Sequence, residues 1–172
     1  MADKLYFYSG SADKAPGRGS NEHVSVPANY ATLASIENWR KMLSNFWVAP
    51  ILVDDLHWNT IEHYFQSKKI ALANPDLANK FCMESETALS ISDGSTAQKN
   101  RKMVILDATT LAQWDLIKSA VMERALRAKF TQHPVLAAML QATNEAQLWH
   151  SGPRIKPVRM TILETIRSEL SG

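Results

Sequence analysis

The spacing of apolar positions changes several times along the chain, and each change marks an element. Leu5-Tyr-Phe-Tyr8 is a short aromatic run ending at Ser9-Gly10, as a strand would. Residues 9–29 lose this periodicity and are polar and rich in Gly, Pro and Ser. They read as a long loop, a kind that is usually functional or disordered in a compact domain. Over residues 30–43, Leu33, Ile36, Trp39 and Leu43 recur at helical spacing and predict a short helix. Residues 47–53 and 56–59 flank Asp54-Asp55 and read as a small hairpin. Thr60 then suits the N-cap of a helix running to about residue 72, with Ile61, Tyr64, Phe65 and Leu72 on one side and Asn74-Pro75 as its stop.

Beyond that stop, residues 76–83 and 86–91 read as two short helices. Ser92-Asp93-Gly94-Ser95 separates them from a polar stretch. The longest helix is expected over about residues 110–132, where Leu111, Trp114, Ile117, Val121 and Ala125 or Leu126 recur every three to four positions. Pro134 interrupts it, and residues 135–141 continue as a further helix. Residues 147–150 read as a strand, and Pro157 as the first residue of a final helix ending near residue 170. With no repeat and no obvious boundary, the expectation is one α+β domain, mainly α-helical, with a few short strands.

Composition narrows the setting more than the chemistry. The chain has 172 residues, 45% of them apolar and 21% charged, which suits a globular protein with its own core. Its net charge of +2 is spread out, without the basic stripe of a typical nucleic-acid binder; Lys99, Arg101 and Lys102 are the nearest approach. One cysteine, Cys82, permits no internal disulfide and fits a reducing compartment. The N-terminus has no signal-peptide pattern, and no apolar run nears the ~20 residues of a membrane span. A cytoplasmic location is expected, with no membrane partner.

Glu62, Gln66 and Lys69 share a helical face offset from the apolar one, so a carboxylate, an amide and an ammonium line up there. Taken alone, the pattern fits a first-turn Glu favoured by the helix dipole better than it fits a catalyst. Trp114, Lys118 and Met122 share a face of the long helix. Trp114 suits either the core or the stacking of a flat heterocycle. Gly17-Arg18-Gly19 can bring backbone amides and a guanidinium to a phosphate, or form an ordinary surface loop. The five histidines have no metal-ligand spacing, no metal or cofactor is expected, and phosphate-binding and dinucleotide-binding glycine motifs are absent. Cys82 reads as a small core residue.

Several blocks together carry a resemblance. Leu43-Ser-Asn-Phe-Trp47, Pro50-Ile-Leu-Val-Asp54 and Trp58-Asn-Thr-Ile-Glu-His-Tyr-Phe-Gln-Ser-Lys68 resemble, in order and spacing, the signature of the NADAR family of YbiA-like proteins. Trp114-Asp-Leu-Ile-Lys-Ser-Ala-Val-Met122 and Ala125-Leu-Arg-Ala-Lys-Phe-Thr-Gln-His-Pro134 resemble its later blocks. The resemblance implies N-glycosidase activity at a ribose C1–N bond. The implied substrates are a phosphorylated ribosylamino-pyrimidine of riboflavin synthesis, or ADP-ribose attached to guanine, including in nucleic acid. It also implies Glu62 and Trp114 as catalytic residues and Asn45 as a pocket residue; Phe46 and His63 of the same blocks, with Gln66, Lys69, Lys118, Arg18 and Gly19 from the residue patterns, complete the candidates for substrate binding. Two departures stand out. The stretch 148–159 contains no Asp, where many members carry one, and residues 9–42 form a loop-and-helix insertion that can serve as pocket or lid. The first departure leaves a non-catalytic ADP-ribose or nucleotide-binding module as the alternative.

Overall fold

The computed structural model describes residues 1–172. In chain order the elements are β1 (Lys4–Phe7), the single turns α1 (Ala31–Ala34) and α2 (Trp39–Met42), β2 (Ile51–Val53), β3 (Leu56–Trp58), α3 (Ile61–Ala71), the turn α4 (Pro75–Ala78), α5 (Gly94–Lys99), α6 (Ala108–Gln132), α7 (Pro134–Ala142), β4 (Gln147–Gly152), β5 (Ile155–Arg159) and α8 (Thr161–Ser171). Helix dominates and the strands are short, which makes the fold α+β. None of the helices is long and apolar enough to cross a membrane. The chain forms two compact units, Met1–Ser44 with His133–Gly172, and Asn45–Gln132.

The first unit is built on a three-stranded sheet in the order β1-β4-β5. β1 runs parallel to β4, with Leu5 opposite Leu148, and β4 runs antiparallel to β5. Leu5, Phe7 and Leu148 form one buried apolar set of this unit; Leu136, Met139 and Leu140 of α7 and Leu163 and Ile166 of α8 form another. Two expectations are corrected here. The final helix starts at Thr161, and Pro157 lies instead in β5, an edge strand, where the β4–β5 register shifts between His150 and Gly152. Edges and bulges are where a strand tolerates a residue without an N–H. The helix expected over residues 30–43 is two separate turns, because Asn38 takes a left-handed backbone (φ 61°) ahead of α2.

The long polar loop is organised by a buried carboxylate. The Glu22 side chain is fully buried and accepts five hydrogen bonds: from the backbone amides of Tyr6, Gly17 and Gly19, and from both Nη1 and Nη2 of Arg40. Arg40 directs its remaining donors to the carbonyls of Lys14, Tyr6 and Ala15, so all five of its N–H groups are used. A Cβ on Gly19 would fall 2.8 Å from the Glu22 carboxyl carbon, so glycine is what permits this approach.

In the second unit, β2 and β3 form the expected hairpin. Asp54 and Asp55 both carry positive φ (54° and 63°), the backbone of a two-residue turn that matches strand twist. Thr60 caps α3, its hydroxyl accepting the His63 amide at 3.2 Å. α3 is buried nearly all round, at Ile61, Glu62, His63, Tyr64, Gln66, Ser67 and Ile70, and Tyr64 meets Trp58 edge-on at 5.3 Å. α6 begins two residues before the expected start, and its buried positions crowd its second half from Val121 to Phe130. The two short helices expected over 76–91 are α4 followed by single 3-10 turns. The stretch Ser92–Ser95 does not merely separate elements: the Asp93 side chain accepts the Thr96 amide at 2.8 Å and starts α5.

Candidate functional site

The start of α3 holds the candidate site. The Thr60 cap places Ile61 and Glu62 in the first turn, where backbone N–H groups lack intrahelical partners. The Glu62 amide finds one outside the helix, the Asn45 carbonyl at 3.3 Å. The Asn45 side chain reaches Met122 of α6, Nδ2 to Sδ at 3.5 Å. The Ser-Asn-Phe block is therefore tied both to the first turn of α3 and to α6. Phe46, the next residue, is half-buried and lies tight against α5: a Cβ on Gly94 would fall 2.4 Å from the Phe46 Cα.

Glu62 is only 6% exposed. Its carboxylate accepts one side-chain hydrogen bond, from Gln66 Nε2 to Oε1 at 2.7 Å. Burial pushes its carboxyl above the usual glutamate range; the Gln66 hydrogen bond and the positive fields of Arg101 and Lys69 pull it partway back. Gln66 is itself buried, and its own Oε1 has no hydrogen-bond partner. A buried acceptor left unpaired beside an under-bonded carboxylate is unfavourable in a resting fold. It suits a site whose remaining bonds are made by a ligand. The expected shared face of Glu62, Gln66 and Lys69 is thus a working contact at its first two members. Lys69 contributes through its field.

His63 has a different place. Its ring is buried, with Nδ1 2.7 Å from the Thr60 hydroxyl and Nε2 2.9 Å from the Leu89 carbonyl. A carbonyl only accepts, so Nε2 carries the proton and Nδ1 accepts from Thr60. Burial lowers its pKa, which keeps the ring neutral. With both nitrogens engaged, His63 bolts the helix start to the 3-10 turn Leu89–Ile91. Trp114 is 3% exposed and meets Phe65 edge-on at 4.9 Å, so it packs α6 against α3 and offers no open face for stacking a base. Lys118 is exposed and paired with Asp115 at 2.9 Å.

The Gly-Arg-Gly turn belongs to the first unit. Its Gly17 and Gly19 amides both point at an anion, but that anion is the Glu22 carboxylate. The two amides are thus occupied by a carboxylate of the chain itself. Arg18 is exposed beside it. Two residues escaped the sequence reading. Arg101 bears on Glu62 through its charge, yet in the sequence it looks like part of a minor basic run. Lys129 is fully buried and its ammonium is pushed down to about 7 by burial. Its signal was the apolar surroundings of the Ala-Lys-Phe block on a helix otherwise read as core.

The NADAR domain family model matches residues 34–154. The chain belongs to the NADAR family. That match spans the Asn45 block, α3 and α6, and so contains Glu62, Gln66, Arg101 and Trp114. Among similar proteins, N-glycosidase YbiA of Shigella boydii serotype 4 is 38% identical over 105 residues, 61% of this chain and 59% of that protein. The chain therefore aligns with about three-fifths of the length of these NADAR relatives. The riboflavin biosynthesis protein PYRR, chloroplastic, of Zea mays is 28% identical over 58% of this chain and 16% of its own length. The NMR structure of the Escherichia coli protein YbiA matches 99% of this chain and 87% of its own with a TM-score of 0.61 at 24% identity, a likeness of fold.

Proposed function

We propose that this NADAR protein is an N-glycosidase that hydrolyses the ribose C1–N bond of a phosphorylated ribosylamino-pyrimidine, with Glu62 as the group that works on the sugar carbon. The observation that carries this reading is Glu62 itself: buried, held by Gln66 at one oxygen, and with its carboxyl pushed above the usual glutamate range by burial. The names of relatives add support, N-glycosidase YbiA for the activity and a riboflavin biosynthesis protein for the pyrimidine. The dispersed charge of +2 favours a small substrate over nucleic acid.

Breaking the bond develops positive charge at C1, as in other glycoside hydrolyses. The Glu62 carboxylate stabilises that charge and accepts a proton from the water whose oxygen bonds to C1. The C1–N bond breaks as this happens, and the departing nitrogen keeps the bonding pair and takes up a proton. A carboxylate whose pKa is raised is a stronger base for the proton it must collect. Gln66 orients the carboxylate, and Asn45 fixes the helix turn beneath it. Lys69, with Lys118 in a lesser role, is the candidate for the substrate's phosphate.

The direct test is release of free sugar from 5-amino-6-ribosylaminouracil 5′-phosphate, with ADP-ribosylated guanine DNA assayed alongside as the second substrate class. Glu62→Gln should slow release by about 10²–10³, the usual effect of removing one preorganised group. Release from neither substrate, or an undiminished rate in Glu62→Gln, sinks the proposal. A second reading, a non-catalytic ADP-ribose binder, is favoured by the lack of any Asp in the stretch 148–159. It requires binding by calorimetry without turnover.

A further inference from the structure

The backbone beside Glu62 is fixed from two directions. The Asn45 carbonyl accepts the Glu62 amide at 3.3 Å. The next residue, Phe46, lies against the start of α5, where a Cβ on Gly94 would fall 2.4 Å from the Phe46 Cα and 2.6 Å from its Cβ. Residue 45 is therefore held within one hydrogen bond of the first turn of α3. What the backbone leaves open is the Asn45 side-chain amide. Its two ends have nearly the same shape and opposite chemistry: Nδ2 donates and Oδ1 accepts.

The neighbour that decides between the two ends is Met122 of α6. Its Sδ lies 3.5 Å from Asn45 Nδ2. A thioether sulfur has lone pairs and no hydrogen, so it accepts and never donates. Turning the amide over would set Oδ1 against the sulfur, acceptor against acceptor, and lose the bond. The sulfur comes from a docked helix: about two turns earlier, Trp114 packs α6 on α3 through Phe65, with ring centres 4.9 Å apart. Gln66 obeys the same rule. Its Nε2 faces an acceptor-only neighbour, the Glu62 carboxylate at 2.7 Å, and its Oε1 is the end without a partner. Both amides beside Glu62 give their nitrogens to acceptors of the chain itself.

We infer that Met122 is a positioning residue for the reaction at Glu62: its sulfur turns the Asn45 amide so that Oδ1 faces the substrate, where it accepts from a hydroxyl or an N–H group. Met122 itself touches no substrate. What the position needs is an acceptor as well as bulk, which a thioether supplies and an aliphatic side chain of the same volume does not. The inference rests on the reading of Glu62 as the reacting group. The orientation of Asn45 can be observed without turnover, so the two claims fail separately.

NMR on the full chain and the kinetics of two variants test it. The Asn45 Nδ2 protons should show a nuclear Overhauser contact to the Met122 methyl group, which is bonded to the sulfur. Met122→Leu keeps the volume and removes the acceptor. It should lower kcat/KM for the substrate turned over by about five-fold, the scale of one modest hydrogen bond. Met122→Gln restores an acceptor and should bring kcat/KM back to within about two-fold of the original chain. A residue that only fills space gives the reverse order, with Leu tolerated and the Gln amide unfavourable. If Met122→Gln fails to fold, the methyl contact and Met122→Leu decide. If the unaltered chain turns over neither the ribosylaminouracil phosphate nor ADP-ribosylated guanine DNA, the reading of Glu62 has failed, and the methyl contact alone decides the orientation of Asn45. A missing methyl contact, an undiminished kcat/KM in Met122→Leu, or a folded Met122→Gln no better than Met122→Leu overturns the assignment.

Discussion

Two buried glutamates in this protein live in opposite circumstances. Glu22, in the first unit, accepts five hydrogen bonds and faces a guanidinium whose every donor is used. Glu62, in the second, is 6% exposed and accepts a single side-chain hydrogen bond, from an amide whose own oxygen is unpaired. Both carboxylates are removed from water, which is unfavourable unless bonds replace the lost hydration. At Glu22 the replacement is complete, and the group serves to order a loop. At Glu62 it is partial, which leaves bonding capacity for something else. Burial alone does not separate the two carboxylates; the bonding that replaces their lost hydration does.

The comparison breaks most sharply at Glu22. Glu22→Ala leaves Arg40 buried without its counter-charge and releases the Tyr6, Gly17 and Gly19 amides. Removing one partner of a buried, hydrogen-bonded pair typically destabilises by about 3–5 kcal/mol. Chemical denaturation should show a loss of that size. A loss below about 1 kcal/mol, the level of an exposed ion pair, would mean that the pair is not the keystone of the loop.

Glu62→Gln should act in the reverse direction. The folded-state pKa of Glu62 is raised, so between its unfolded value and that raised value the folded chain holds more protons than the unfolded one. Stability from this group is present at low pH and is lost as pH rises through the folded pKa. Above it, the buried charge destabilises the fold. Replacing it with a neutral amide at such a pH should therefore leave Tm the same or higher, by about 2–4 °C for each kcal/mol recovered. A drop in Tm alongside the lost activity would make Glu62 a structural residue like Glu22.

The two carboxylates also differ in how far the sequence exposes them. Glu62 lies in an element written locally: a Thr cap, a helix pattern and a polar face at positions 62, 66 and 69, with Gln66 reaching Glu62 as that spacing implies. The Asp54-Asp55 hairpin and the length of α6 were legible for the same reason. Glu22 and Arg40 were not, because their contact joins positions 18 apart in the sequence and Glu22 lies in a stretch without periodic signal. The parallel pairing of β1 with β4 is likewise invisible, since it joins residues more than a hundred positions apart. Pro157 misled because the same residue suits a helix start and a strand edge, and the choice depends on the neighbouring β4. Trp114 fitted either core or platform, and its contact with Phe65 of α3 depends on a neighbour that its own helix does not specify. The field of Arg101 on Glu62 joins elements that no local pattern connects.

The finest separation between the two sites lies in Gln66. Its Nε2 hydrogen bond favours the charged form of Glu62, opposing the upward push of burial. Gln66→Leu removes that bond and puts an apolar side chain in its place, so the Glu62 carboxyl should rise further. If Glu62 must be ionised to accept a proton from water, the acid limb of kcat/KM reports its pKa in the free enzyme. That limb should move to higher pH in Gln66→Leu. It should move the same way, by less, in Arg101→Ala, which weakens a field without breaking a hydrogen bond. At a pH well above both limbs, the remaining loss in Gln66→Leu measures orientation of the carboxylate alone. An acid limb that stays in place would disconnect Gln66 from the ionisation of Glu62. The unpaired Gln66 oxygen would then mark a binding contact to substrate, visible as a change in KM with kcat preserved.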